Sequence, residues 1–393
     1  MALTTRLAAK IAAATAVPAC LLIVGTSVAT AAPAHPGSRP ARSQKLVVNQ
    51  VLNGMKLHHT YVTGGKKKSE PLTLPDDITM LGTDLYTGFQ NGVGSQGEPS
   101  TDGNTDSTIV GFTGTGKVVH QWDIKGKVDG LTADPAKGVL IATVNEDANS
   151  SIYTIKPGAS TAAGQIVHYQ YNKPLPSKGG TDAISVYHGF VLVSASAPGT
   201  TGKVTGAPAV YVVTFNSKTR IATVNGTFSD DATAVVANSG AQHGKKVKLA
   251  LTDPDSNEVV PGYAARFAGD FMLTSQADKE QIFAAPVSST RLSLSVLRLS
   301  QSVDDTAWTL TPGRLFSPDA ASDTVDAVSG ALGHNVYVAV TPCDAANAPA
   351  TCPAPGFPPN YLGSLNPATG HVSRVPLTGA NFQPKGMIYV PNP

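Results

Sequence analysis

Residues 128–155 read VDGLTADPAKGVLIATVNEDANSSIYTI. Three short apolar runs are visible, and turn chemistry divides them. Leu131 to Ala133 begins the first. Asp134-Pro135-Ala136-Lys137-Gly138 is a turn, because Pro presets φ and Gly supplies a positive one. Val139 to Val144 returns, a polar loop spans Asn145 to Ser150, and Ser151 to Ile155 forms a third run. The runs are too short for helices and rich in β-branched residues. The stretch therefore predicts three antiparallel strands.

Related segments recur along the chain. Setting each against residues 128–155 places Asp77, Asp182, Asp231 and Asp326 in the slot of Asp129. Two further copies lack the acid and carry Gly262-Tyr263 and Lys385-Gly386 there. The gaps between these anchors are 52, 53, 49, 31, 64 and 59 residues. Helical periodicity is almost absent after residue 43. A period near 50 residues with three or four strands per unit is the signature of an all-β propeller, whose units bury their faces only by stacking in a ring. Seven blades are expected, with six as the alternative if the anchor at 262 begins no inner strand. KLVVNQVL and MKLHHTYVT are expected to join the C-terminal strand Met387–Val390 and close the ring through paired chain ends.

The unit VDGLTADPAKGVLIATV resembles the repeats of NHL, SMP-30/gluconolactonase-like and YVTN-type propellers. Asp129-Gly130-Leu131, Asp134 and Val139-Leu140-Ile141 carry the likeness, with Leu85-Tyr86-Thr87 and Val336-Tyr337-Val338 matching the second strand. The resemblance implies the fold. For SMP-30-like proteins it also implies a divalent cation held by channel acids and a lactonase or lyase activity. That pattern uses Glu, Asn and Asp from different blades, whereas the anchors in this chain supply Asp alone.

Composition sets the class. The chain has 393 residues, 41% of them apolar and only 14% charged, with a formal net charge of +2. This excludes a disordered polyelectrolyte, a polytopic membrane protein and a nucleic-acid binder that relies on bulk charge. Residues 1–31 read as a secretory signal: Arg6 and Lys10, an uncharged run from Ile11, and Ala29-Thr30-Ala31 as the cleavage motif. Without them, basic and acidic side chains balance at 27 each. A secreted, monomeric protein with no stable membrane span is expected. Residues 32–43 form a tail and 44–393 the propeller domain. Cys343 and Cys352 are the cysteines left, and an exported chain pairs them as a disulfide.

Topology sharpens the site. The entrances to the innermost strands and the loops between second and third strands share one face of the disc. Asp77, Asp129, Asp182, Asp231 and Asp326 are expected on that face near the axis. Loop oxygens from Asp102, Asn104, Asp106, Asn145 and Glu146 are candidates to join them, and Asp102 to Asp106 has the D-x-N-x-D spacing of a calcium loop. Clustered carboxylates are costly unless something answers them. The answers are Ca²⁺ or another divalent cation, capping of backbone amides, or a small molecule or extracellular partner. No G-x-S-x-G, H-E-x-x-H or P-loop motif is present. A ligand-binding propeller is expected, without assigned catalytic residues. The alternatives are a metal-dependent lactonase or lyase and a structural cell-envelope module.

Overall fold

The computed structural model describes residues 45–199, 203–288, 291–310, 312–342, 360–379 and 381–392. The expected signal peptide, the tail, Cys343 and Cys352 lie outside the described residues. The described chain is β-structure apart from the four-residue helix Ala162–Gln165 and two 3-10 turns.

Strands group into four-stranded units, each ordered from the axis outward. Unit 1 is Pro75–Leu81, Asp84–Phe89, Asp106–Phe112 and Val118–Lys125. Unit 2 is Val128–Asp134, Val139–Val144, Ser151–Ile155 and Ile166–Tyr171. Unit 3 is Thr181–Tyr187, Phe190–Ala195, Pro208–Asn216 and Ile221–Ser229. Units 2 and 3 merge into one eight-stranded sheet through the outer pairs Gln170 with Ile221 and Tyr171 with Ala222. Unit 4 is Pro254–Val259, Phe271–Ser275, Glu280–Ser288 and Arg291–Arg298. Unit 5 is Val303–Trp308, Val336–Val340, Tyr361–Asn366 and His371–Arg374. Unit 6 is Ile388–Pro391, Gly313–Asp319, Thr324–Ser329 and Leu46–Asn53.

Residue type explains depth. Second strands such as Val139–Val144, VLIATV, are buried on both faces, as expected for a strand sandwiched between neighbouring sheets. The outermost Val118–Lys125 alternates between half-buried and exposed along most of its length, the pattern of a strand with one wet face. Six apolar clusters fill the six junctions between successive units, including the junction of unit 6 with unit 1. At that junction Leu52, Phe316 and Val325 pack with Ile78, Leu85 and Phe112. The arrangement is a closed propeller.

Seven units are not confirmed: the described residues form six. Two departures from regular repetition explain the misleading spacing. Residues 233–248 add an outer hairpin, Thr233–Val236 with Lys246–Lys248, to the edge of unit 4. Asp231 precedes that outer strand, and Gly262 follows the inner strand of unit 4 instead of starting one. Units 5 and 6 also interleave. The chain lays down the inner strand of unit 5, crosses to build two strands of unit 6, then returns to finish unit 5. Asp326 consequently sits in the third strand of unit 6.

Both chain ends enter the closing sheet, as the sequence implied, but they do not pair as expected. Ile388–Pro391 is innermost against Gly313–Asp319, while Leu46–Asn53 is outside Thr324–Ser329 and pairs in parallel with Leu377–Gly379. The MKLHHTYVT segment does not join this sheet. His58–Thr63 and Lys66–Pro71 form a separate hairpin across Gly64 and Gly65, whose φ angles of +56° and +74° suit a two-residue turn. The hairpin docks on unit 1, where Gln121 Nε2 donates to the His58 carbonyl at 2.8 Å.

Candidate functional site

Five inner strands carry the same defect at their entrances. The first and fourth residues of Pro75-Asp76-Asp77-Ile78 pair with Phe89 and Thr87, so the inner strand has one residue more than its partner. The same shift occurs between Val128 and Leu131, Thr181 and Ile184, Pro254 and Asn257, and Val303 and Thr306. These are β-bulges, which break the ladder locally and re-aim a side chain. The first residue inside each bulge is an aspartate: Asp76, Asp129, Asp182, Asp255 and Asp304. All five line one central cavity of about 350 Å³. The sixth entrance carries no acid and brings Lys385.

The collar is therefore partly the expected one. Asp129 and Asp182 are in place, and Asp77 lines the same cavity beside the collar residue Asp76. Asp231 and Asp326 do not reach it. Asp231 is half-buried, takes a 2.6 Å hydrogen bond from Ser229 and lies 3.7 Å from Lys248. Asp326 is buried between strands and accepts from Thr324 Oγ1 at 2.8 Å. Reading the sequence missed Asp76, Asp304 and Asp305, and took Asp255 for a loop acid of the same face instead of an inner-strand residue. The available signal was a Pro, Val or Thr opening a strand with Asp directly after it, as in Pro254-Asp255-Ser256 and Val303-Asp304-Asp305.

Two acids act as cross-links between units. Asp77 Oδ1 accepts from the Ile78 amide and its Oδ2 from the Leu131 amide of unit 2, both at 2.7 Å. Asp305 repeats this, accepting from the Thr306 amide at 2.7 Å and from the Met387 amide of unit 6 at 2.5 Å. Capping of amides thus accounts for these two.

Cations answer three of the five collar acids. Lys127 Nζ lies 2.9 Å from Asp129 Oδ1 and also contacts Glu146. Burial works against this ammonium, but the carboxylates of Asp129 and Glu146 outweigh it and hold its pKa far above the ordinary value. Lys385 Nζ is 3.0 Å from Asp304 Oδ2 and 4.0 Å from Asp76 Oδ1. Asp182 and Asp255, from adjacent units, have no such cation among the described residues. Burial raises both pKa values well above the ordinary carboxylate range, Asp255 adds to the shift of Asp182, and Asp304 to that of Asp255. Burial also lifts Asp76 to about 6 and Asp305 to about 7.

Several polar atoms in the cavity wall lack hydrogen-bond partners among the described residues. They include Asp129 Oδ2, Ser185 Oγ and Asn257 Oδ1, on residues 5%, 6% and 7% exposed. Buried polar atoms are ordinarily satisfied, so such a group marks a place where a ligand can bond.

The loop candidates divide. Glu146 reaches the collar through Lys127. Asn145 serves the fold: its Oδ1 accepts from the Lys127 amide at 2.9 Å and its Nδ2 donates to Asn149. Asp102, Asn104 and Asp106 do not converge as a calcium loop would. Asn104 is fully buried, and its side chain bonds the Asp106 amide and carbonyl at 2.9 Å each. Among the described residues, no group of three or more His, Cys, Asp or Glu side chains is placed to hold one metal ion. The aspartates form a rim, not a cage. Among the described residues, no helix is long and apolar enough to cross a membrane.

No family model matches this chain, and no curated protein does. Solved structures do align with it. The periplasmic gluconolactonase PpgL of Pseudomonas aeruginosa aligns at TM-score 0.42 and 12% identity, over 89% of this chain and 99% of its own. AztD of Citrobacter koseri aligns at 0.36 and 12%, over 88% and 97%. The WD40 domain of Neurospora crassa Pan2 aligns at 0.32 and 10%, over 67% and 66%. These superpositions are too loose to carry an argument. The propeller arrangement rests on the sheet order and the six filled junctions.

Proposed function

We propose that this protein binds a positively charged ligand at the mouth of its central channel, on the sector formed by Asp182 and Asp255. One observation carries the reading: among the described residues, neither of these two collar carboxyls is held in an ion pair, and Lys127 and Lys385 act on them only from a distance. The unsatisfied oxygens of Asp129, Ser185 and Asn257 in the same wall add acceptors. A cation entering there offsets the burial and the mutual repulsion that keep both acids hard to ionise. Export by residues 1–31 and a Cys343–Cys352 disulfide belong to the same proposal, both on sequence grounds.

Isothermal titration of the folded protein at pH 8 with calcium chloride and with methylammonium chloride tests this. Saturable binding of at least one cation is expected, lost in the double variant Asp182→Asn, Asp255→Asn. At a hundred times its Kd the bound cation adds about 2.7 kcal/mol of stability. If neither cation binds, the reading fails.

A second reading, lactone hydrolysis, has one observation in its favour. Burial pushes Asp76 up to about 6 and Asp305 up to about 7, the range suited to general acid–base work. Assaying gluconolactone opening on the same samples separates an enzyme from a binder.

A further inference from the structure

We infer that the channel ligand is an organic ammonium with a short hydrocarbon body, not a metal ion. This deepens the cation reading above and rests on it. The cavity has two zones. The collar offers acceptors: the carboxyls of Asp182 and Asp255, Asp129 Oδ2 and Asn257 Oδ1, the last two buried and without partners among the described residues. An ammonium has three N–H donors and no acceptor, so it complements this set. Deeper along the same strands the wall changes character. Leu131, Ala133, Ile184, Val186, Val259 and Ile388 line the cavity. A metal ion seeks oxygen ligands on every side and gains nothing from these apolar side chains, and Glu258, the acid beside Val259, is already engaged by Trp308 Nε1 at 3.0 Å.

Volume and placement agree with an organic molecule. About 350 Å³ lies at the small end of ligand pockets, well beyond the needs of a single ion. The dispersion of the carboxylates around a rim also suits an off-centre ammonium better than an ion shared by three side chains. The ammonium sits against Asp182 and Asp255. Its hydrocarbon body lies along Val186 and Val259, both half-buried and lining the cavity on the adjacent inner strands that carry Asp182 and Asp255.

The test is calorimetry at pH 8 with methyl-, propyl-, butyl- and hexylammonium chloride, alongside calcium chloride and neutral butanol. Affinity is expected to rise about fourfold for each buried methylene until the wall is filled, with butanol not binding. The double variant Val186→Ser, Val259→Thr is expected to flatten the chain-length dependence. Asp182→Asn with Asp255→Asn is expected to abolish the whole series. Equal affinities across the ammonium series, or calcium binding tighter than every ammonium, overturn this inference and leave the cation reading standing. Butanol binding as well as butylammonium also overturns it. Failure of every cation to bind defeats both readings.

Discussion

Asp77 and Asp305 each tie one unit of the ring to the next with a single carboxyl. Each accepts one amide of its own strand and one from the neighbouring inner strand. Replacing Asp305 by Ala strands the Thr306 and Met387 amides, and a loss of about 1–3 kcal/mol is expected in urea unfolding. Asn is expected to rescue only partly, since its Nδ2 cannot accept a hydrogen bond. Acids lining the cavity also set a pH dependence. Burial raises Asp76 to about 6 and Asp305 to about 7, both above the unfolded value near 4. A carboxyl that protonates more readily when folded favours the fold in acid. That contribution is complete below about pH 4 and fades as pH rises through 6 to 7. The urea midpoint is therefore expected to be higher at pH 5 than at pH 8, and Asp76→Asn to narrow the gap; a midpoint that rises with pH contradicts the assignment. Cation binding should run the other way and weaken as pH falls, because it needs the ionised forms of Asp182 and Asp255, which burial makes hard to ionise. Asp129 and Asp182 were legible in the sequence because each opens a strand whose partner follows at once. Asp231 and Asp326 show the same local pattern, yet pairing with distant chain segments places them elsewhere. Nothing local distinguishes an acid before an inner strand from one before or within an outer one.

At the level of elements, five bulges at equivalent positions do the work of aiming the aspartates. Their second residue lies tight against the next unit. A Cβ added at Gly130 would meet the Asp182 carbonyl oxygen at 2.5 Å and Thr143 Oγ1 at 2.6 Å. Gly130→Ala is expected to cost about 1–3 kcal/mol by forcing two inner strands apart. Gly262→Ala meets nothing within 4 Å and serves as the neutral control. Equal urea midpoints for the two variants would show that the junction yields. Strand existence was readable from the sequence, since turn residues and β-branched runs are local signals. The docked hairpin of His58–Pro71 was half readable. Gly64-Gly65 announced the turn, but its docking on unit 1 depends on tertiary contacts such as Lys68 Nζ to the Asp102 carbonyl at 2.9 Å.

For the whole molecule, closure depends on the last strand. Removing residues 386–393 takes away Ile388–Pro391 and bares the edge of Gly313–Asp319, an invitation to pair with another chain. The truncated protein is expected to associate in size-exclusion chromatography and to lose its single cooperative unfolding transition. A monomer that unfolds like the intact chain contradicts closure by this strand. The ring itself was legible as a repeat near 50 residues, but its count was not. An inserted outer hairpin and the interleaving of units 5 and 6 alter spacing without altering the number of inner strands. Lys385 has a consequence for the ring as a whole. It occupies the sixth entrance, diametrically opposite unit 3, and its ammonium engages Asp304 and Asp76 on either side. Negative charge is therefore lopsided, and the mouth carries a transverse dipole across its opening instead of a uniform potential. An approaching molecule experiences a torque as well as an attraction. One bearing unlike charges at its two ends is turned to a single heading before it touches the wall.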